Sequence, residues 1–559
     1  MDHSAVSPLG VPRAGATPSG ERPISIVAGL SMWTPAMGRA ALSAALTAAT
    51  SSPALRADSP SAPRPEAPGG APGPRPPKIR CLEIRADLTG DINPGWLREQ
   101  FSGALLYTLR TRAAGGGCDD PADRRRERLI AAAAHYDYVD LDADHDLHAD
   151  VLDRIPPERR VLSWHGPATD LAGLRRTFAA LSTVDAHLYR LAPAAKTMAQ
   201  ALAPLLLLKS LERADVTAYA RGPAATWTRV LAARYGAAVA FGRLADHGPQ
   251  AAARAAAEGD LPVRRLLIDY PADLVLRAER LYGILGASTS GSLCPMAHNT
   301  GYRSLGLPAL FLPFSSDELA LSLADLRTGL DELGLPLGAM AVVAPHKDAA
   351  FTLATEATPF ARRVAAASLL LRAPSGWWAD TEAAGIVAAL AGKQVNVARR
   401  RIAVVGCGGA GRSAAAGLSQ AGGLVTLVNR GIPGGLRAAK LVDLPFVPLA
   451  EFDPRAYDVL VHATPVKDAM LFPLDGLDPG TVIFDLSYGP TETPLVAAAR
   501  AAGHRTIDGS EMTLVELPRQ FHRMTGHHIP VGIVRAAQRE FSKHRVRKAE
   551  SADRRLALS

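Results

Sequence analysis

RRRIAVVGCGGAGRSAAAGLSQAG, residues 399 to 422, is the stretch whose reading decides the fold. Ile402 to Val405 form a short continuous apolar run, the pattern of a strand buried on both faces. Gly406, Gly408 and Gly411 follow in G-x-G-x-x-G spacing, and the small residues after them read as a helix. Strand, glycine turn and helix in that order are the context this spacing requires for nucleotide binding. The first glycine permits the tight turn, the second lets a pyrophosphate approach the backbone, and the third lets helix pack on strand. The helix N-terminus, with Gly409 and Ala410 in its first turn, then faces the phosphates.

The pattern continues downstream. LVTLVNR (424–430), DVLVHATP (458–465) and TVIFDLSYGP (481–490) read as further strands of a doubly wound Rossmann sheet. The second strand ends in Asn429 and Arg430, where a reader of a ribose 2′-hydroxyl would place an acid. A guanidinium suits a 2′-phosphate, so NADP is expected over NAD, with a surface arginine as the bland alternative.

Upstream, residues 280–390 read as a separate α/β unit. RLYGILGAS and ALFLPFS look like strands, LALSLADLRTGLDEL like an amphipathic helix, and MAVVAP like another strand. Lys347 stands just past that last strand, behind Pro345 and His346. It reads either as a solvated loop lysine or as a proton carrier in a cleft. Residues 79–275 alternate short β-rich runs with Ala/Leu-rich helical stretches, from KIRCLEIRADL to AAVAFGRL. That alternation predicts a (β/α) barrel, somewhat compact for the fold. Residues 391–530 form the dinucleotide domain, and 531–559 a C-terminal helix with a basic tail. Residues 1–78, rich in Pro, Ala, Ser and Gly, read as a disordered arm, with a weak targeting peptide or a mis-assigned start as alternatives.

Composition narrows the function classes. Of the 559 residues 48% are hydrophobic, ample for several buried cores, and the net charge is +8. The excess sits largely in RRRERL (124–129) and the C-terminal tail, without interleaved aromatics, so no nucleic-acid partner is expected. Four cysteines with no CxxC pair indicate neither zinc nor a disulfide framework, and a reducing, cytoplasmic setting fits. No apolar run approaches the ~20 residues of a membrane span, so no membrane is expected. Internal arginines suit a small anionic substrate.

Several motifs together resemble the shikimate dehydrogenases: YGILGASTSGSLCPMAHN, VVAPHK, VVGCGGAGRSA, VNR, ATPV, DLSYGPTETPL and DGSEMTLVELPRQFHRMTG, in that order from about 280 to 545. The resemblance implies reduction of 3-dehydroshikimate by NADPH in a cleft between a substrate domain and the Rossmann domain. It makes Lys347 the proton carrier and Glu382, in ADTEAAG, its carboxylate partner. It assigns Ser292, Cys294, Ser368, Tyr488 and Glu516 to the substrate, and Thr464, Gly509 and Met512 to the nicotinamide end of the cofactor. Several of these depart from the family pattern: Cys294 for serine, Val343 for threonine, Ser368 for asparagine, Glu382 for aspartate and Glu516 for glutamine. Shikimate, quinate and an amino-containing analogue stay open as substrates, with a homodimer as one expected assembly.

The first half resembles the type I 3-dehydroquinate dehydratases, on EIRAD, YTLRT, LSWHG and TWTRVLAARYG. That resemblance implies imine chemistry on a lysine, with His165 moving protons and Glu83, Arg85, Arg110 and Arg229 holding the substrate. The imine lysine's position reads Arg190, and the glutamate expected after TLRT reads Ala114. A guanidinium stays charged and forms no imine. Lys196 would reach inward only in a different register. The expectation is therefore an active dehydrogenase fused to a degenerate dehydratase barrel. A fully bifunctional enzyme and a non-catalytic NADP-binding regulator are the alternatives.

Overall fold

The computed structural model describes residues 25–30, 79–244, 253–255, 257–289, 291–381, 383–487 and 492–540, together with Leu9. Three sheets organise them.

The first sheet is the barrel. Its strands are β1 (Ser25–Leu30), β2 (Ile79–Arg85), β3 (Ala104–Thr108), β4 (Tyr138–Asp142), β5 (Arg160–Trp164), β6 (Leu188–Leu191), β7 (Val216–Ala218) and β8 (Val239–Arg243). They run in the order β7-β6-β5-β4-β3-β2-β1-β8. Each bonded pair is parallel. The two end strands meet where Ala238 N–H donates to the Val216 carbonyl (3.0 Å) and Val239 N–H to the Thr217 hydroxyl (3.1 Å).

Here the sequence reading needs correction. The arm over 1–78 contains β1, which pairs with both β2 and β8. Residues 79–275 looked compact for a barrel because they hold only seven of its strands. SIVAGL carries the apolar, β-branched signature of a strand, but the Pro- and Ala-rich text on both sides masks it.

The second sheet comprises β9 (Arg280–Gly286), β10 (Ala309–Ser315), β11 (Leu337–Val342), β12 (Glu356–Ala357), β13 (Leu369–Ala373) and β14 (Gly376–Asp380), ordered β10-β9-β11-β13-β14-β12. β11 meets β13 antiparallel, so this sheet is mixed. It shares one continuous core with the barrel. Trp227, fully buried in the barrel helix Thr226–Leu231, packs on Phe314 of β10 with ring centroids 5.4 Å apart.

The third sheet comprises β15 (Arg401–Val405), β16 (Leu424–Asn429), β17 (Phe446–Pro448), β18 (Val459–His462), β19 (Val482–Asp485) and β20 (Arg505–Asp508). Its order, β17-β16-β15-β18-β19-β20, is the doubly wound one, with the switch point between β15 and β18. The helix Gly509–Thr525 follows β20 in sequence but contributes Leu517, Phe521 and Met524 to the core of the second sheet. The chain thus crosses back to the second sheet. No helix among the described residues is long and apolar enough to cross a membrane.

Candidate active site

The cleft lies where the second and third sheets meet. β11 ends at Val342, and Lys347 opens the helix Lys347–Leu353. His346 just before it is buried, its Nε2 2.6 Å from the Ser316 carbonyl, which fixes the turn. Across the cleft the helix Gly409–Gln420 begins at the glycine turn. A Cβ added at Gly409 would stand 2.8 Å from Lys347 Cβ and 2.8 Å from an Asp348 carboxylate oxygen, so the lysine backbone lies directly against the dinucleotide loop. Arg412, buried one turn along, clamps this junction. It pairs with Asp348 (2.8 Å) and donates to the carbonyls of Val364, Ala365 and Cys407. Arg412 carries no signal in the sequence, because its partners lie far away in the chain.

Burial lowers the Lys347 pKa, opposed by the negative charges of Glu516 and Asp348. A half-buried amine held below its ordinary value exchanges protons more readily near neutrality. Glu516, on the helix Gly509–Thr525, is the carboxylate that the described residues bring to Lys347 besides its neighbour Asp348. Glu382, the partner expected from the sequence, lies outside the described residues, as does Tyr488. Glu516 also faces Cys294, whose buried thiol is pushed up to about 11, chiefly by burial. Cys294 is therefore a neutral, weak donor at physiological pH. Its N–H donates to the Ser292 hydroxyl (3.2 Å). The Ser368 hydroxyl bonds that of Thr381 (3.2 Å), and Val343 packs toward Gly286.

The cofactor edge follows the sheet. Gly406 has φ +116, and a Cβ on it would stand 2.7 Å from the Ala463 carbonyl. A Cβ on Gly411 would stand 1.8 Å from the Gly406 carbonyl, so this close helix–strand approach excludes any side chain. Gly408, capping the helix, has open space around it, the room a pyrophosphate needs. Asn429 donates to the Gly431 carbonyl (2.9 Å) at the end of β16. Arg430 is exposed beside it, and Arg437, missed from the sequence, reaches back toward Gly434 on the same edge. Among the described residues neither arginine has a carboxylate partner, whereas Arg401, Arg412, Arg455 and Arg500 of this region are all paired. These residues fit a 2′-phosphorylated dinucleotide. Thr464 follows β18, Gly509 starts the last long helix and Met512 packs on the core of the third sheet.

The barrel mouth gathers the residues expected there. Glu83 lies within β2 and Arg85 at its end, while Arg110 follows β3, His165 follows β5 and Arg190 lies within β6. Arg190 is buried and crosses the interior. Its Nη1 donates to Glu83 (2.8 Å), its Nε to the Tyr219 hydroxyl (2.9 Å), and its guanidinium lies 3.8 Å from the Phe241 ring centre. Burial opposes its charge, but Tyr219, Glu83 and Asp140 raise its pKa on balance. Burial alone would raise the Glu83 pKa, but Arg190, then Arg110 and Arg85, hold it at about 2. Arg85 pairs with Asp87, Arg221 with Glu258 (2.8 Å) and Arg229 with Asp260. Arg221, Asp140 and Asp260 were not foreseen. Among the described residues, Arg110 Nε and Nη2 and both ring nitrogens of His165 are buried without a partner. Burial, then Arg110 and the other guanidiniums, keep His165 neutral. Ala114 is buried, and Lys196 is exposed in the loop that follows β6.

A doubly wound sheet whose glycine turn abuts a cleft lysine defines a dinucleotide-dependent oxidoreductase, here joined to a (β/α) barrel. The chain is 35% identical over 271 residues to the NADP(+) shikimate dehydrogenase of Halobacterium salinarum, covering 46% of this chain and 98% of that relative. It is 31% identical over 261 residues to the NADP(+) enzyme of Syntrophobacter fumaroxidans, covering 45% and 88%. The chain belongs to the shikimate dehydrogenase family. Residues 78–268 match the type I 3-dehydroquinase family model. The chloroplastic bifunctional 3-dehydroquinate dehydratase/shikimate dehydrogenase of Arabidopsis thaliana is 25% identical over 484 residues, covering 80% of this chain and 77% of that one. A solved shikimate 5-dehydrogenase from Thermus thermophilus, in complex with NADP(H) and shikimate, aligns at 25% identity over 47% of this chain and 99% of that one, with TM-score 0.42.

Proposed function

We propose that this chain is an NADP-dependent shikimate dehydrogenase, converting 3-dehydroshikimate and NADPH to shikimate and NADP in aromatic amino acid biosynthesis. The observation that carries this reading is the placement of Lys347, against the glycine turn on one side and in the field of Glu516 on the other. NADPH, when bound, supplies the hydride. Lys347 gives its proton to the oxygen that was the ketone, and takes it back in the reverse direction. Glu516 keeps the lysine charged between turnovers and orients it. Ser292 and the Ser368–Thr381 pair offer hydroxyls to the substrate, with the Cys294 thiol as a weaker contact. Gly408 and the helix N-terminus would hold the pyrophosphate, and Arg430 the 2′-phosphate. The K347A variant tests the assignment: turnover lost with NADP binding retained supports it, and turnover retained overturns it.

The barrel is dehydratase-like in fold but forms no imine. Arg190 occupies the interior with its charge committed to Glu83, and Lys196 faces solvent. The nitrogens of Arg110 and His165 that lack a partner among the described residues favour a mouth that still holds a small anion without turning it over. Borohydride added with 3-dehydroquinate should leave the protein unlabelled, and a covalent adduct would overturn this half of the reading.

A further inference from the structure

Three residues meet at the carboxyl ends of β18 and β19, beside the switch point of the third sheet. His462 ends β18, Asp485 ends β19, and Thr464 lies two residues past β18. His462 and Asp485 are 2% and 0% exposed. The His462 Nδ1 lies 2.9 Å from Asp485 Oδ1, and its Nε2 2.6 Å from the Thr464 hydroxyl. With the ring hydrogen placed on Nδ1, facing the carboxylate, Nε2 accepts from the threonine hydroxyl.

Asp485 is itself held. Its Oδ1 also accepts from Ser487 N–H (2.9 Å), and its Oδ2 from the Thr493 hydroxyl (2.7 Å). The Thr464 hydroxyl oxygen accepts from Val466 N–H (3.3 Å), and the Thr464 carbonyl accepts from the Ser487 hydroxyl (3.3 Å). With its hydroxyl turned inward, Thr464 presents its methyl to the glycine turn. A Cβ on Gly406 would stand 2.9 Å from that methyl and 2.7 Å from the Ala463 carbonyl. Open α/β sheets bind their ligands at the carboxyl ends of the strands flanking this point.

We infer that His462, oriented by Asp485, is a positioning residue for the dinucleotide: it fixes Ala463 and Thr464 as the crevice wall that faces the glycine turn. The inference rests on NADP being the cofactor. His462 touches no reacting atom and acts through Thr464. Losing its two bonds frees the Thr464 side chain to rotate and lets the wall drift, which a preorganised nucleotide site registers as weaker binding.

The test uses the full chain and NADPH, with binding read by nucleotide fluorescence. H462L keeps apolar bulk and removes both hydrogen bonds; H462Q keeps a polar group within reach of Thr464. H462L should weaken NADPH binding at least tenfold and raise the NADPH KM equally. Its KM for 3-dehydroshikimate and its kcat at saturating NADPH should change less than threefold. H462Q should return NADPH binding to within threefold of wild type. Should H462L fail to fold, D485A, which takes away the carboxylate facing the same ring, replaces it with the same expected loss. Wild-type protein that does not bind NADPH would overturn the cofactor reading itself. Wild-type protein that binds it, alongside an H462L or D485A variant of unchanged affinity, would overturn only this inference. So would an H462Q variant as weak as H462L.

Discussion

Replacing Arg190 by methionine is the sharpest probe of the barrel. The substitution removes the charge that faces Glu83 at 2.8 Å and Asp140 at 3.9 Å, both buried. Burial alone would raise the Glu83 pKa; the guanidiniums, Arg190 first, hold it down from an ordinary 4.5 to about 2. That difference, shared among three guanidiniums, corresponds to about 3 kcal/mol of stability by proton linkage, an upper bound on the part Arg190 holds. Breaking a buried ion pair from one side independently suggests about 3–5 kcal/mol. Because the folded-state pKa of Glu83 is depressed, this stability is fully present above 4.5 and is lost as pH falls toward 2. The expected result is an R190M variant about 3 kcal/mol less stable than wild type in urea titrations at pH 7, with the gap narrowing below pH 4.5. Adding E83Q should restore at least half of the loss, since one uncompensated carboxylate is gone. An R190M variant within about 0.5 kcal/mol of wild type, a change typical of surface sites, would refute the reasoning. A double variant no better than the single one would do the same.

Further outcomes follow from the cleft. The oxidation direction needs neutral Lys347, so its rate should rise with pH through the lowered lysine pKa. The E516Q variant removes a charge that raises that pKa, so the rising limb should move to lower pH; a limb that stays put or moves up contradicts the Glu516–Lys347 pairing. R430A should weaken NADP binding about 10- to 100-fold, the loss of a charged hydrogen bond of ~1.5–3 kcal/mol, and leave NAD binding unchanged. Equal loss for both nucleotides would remove Arg430 from the 2′-phosphate site.

Much of this site was legible in the sequence because its signals are local. The glycine turn declares itself within a few residues, whereas the local sequence only nominates Lys347 behind β11 and Arg430 at the end of β16, each with a bland alternative. Arg190 was singled out through the resemblance to the dehydratases, which puts the imine lysine at its position, and the structure places it inside the barrel within β6. The parts that were missed depend on long-range assembly. β1 hid in a Pro-rich arm, and only its neighbours β2 and β8 show it to be a barrel strand. Arg412 meets Asp348 across 64 residues, and His462 meets Asp485 only because the sheet order makes β18 and β19 adjacent. Glu516 looked like a substrate contact, and its field on Lys347 emerges only when the last long helix crosses back to the second domain.

The most direct test of the central claim is NADPH absorbance, recorded with the purified chain, NADP and shikimate at mildly alkaline pH, and separately with quinate. NADPH formation with shikimate is the predicted result, and it would show that Cys294, Val343 and Ser368 are tolerated in a working pocket. No NADPH with shikimate, from protein that binds NADP, would contradict the account, and formation with quinate alone would mean those same residues have re-aimed the site.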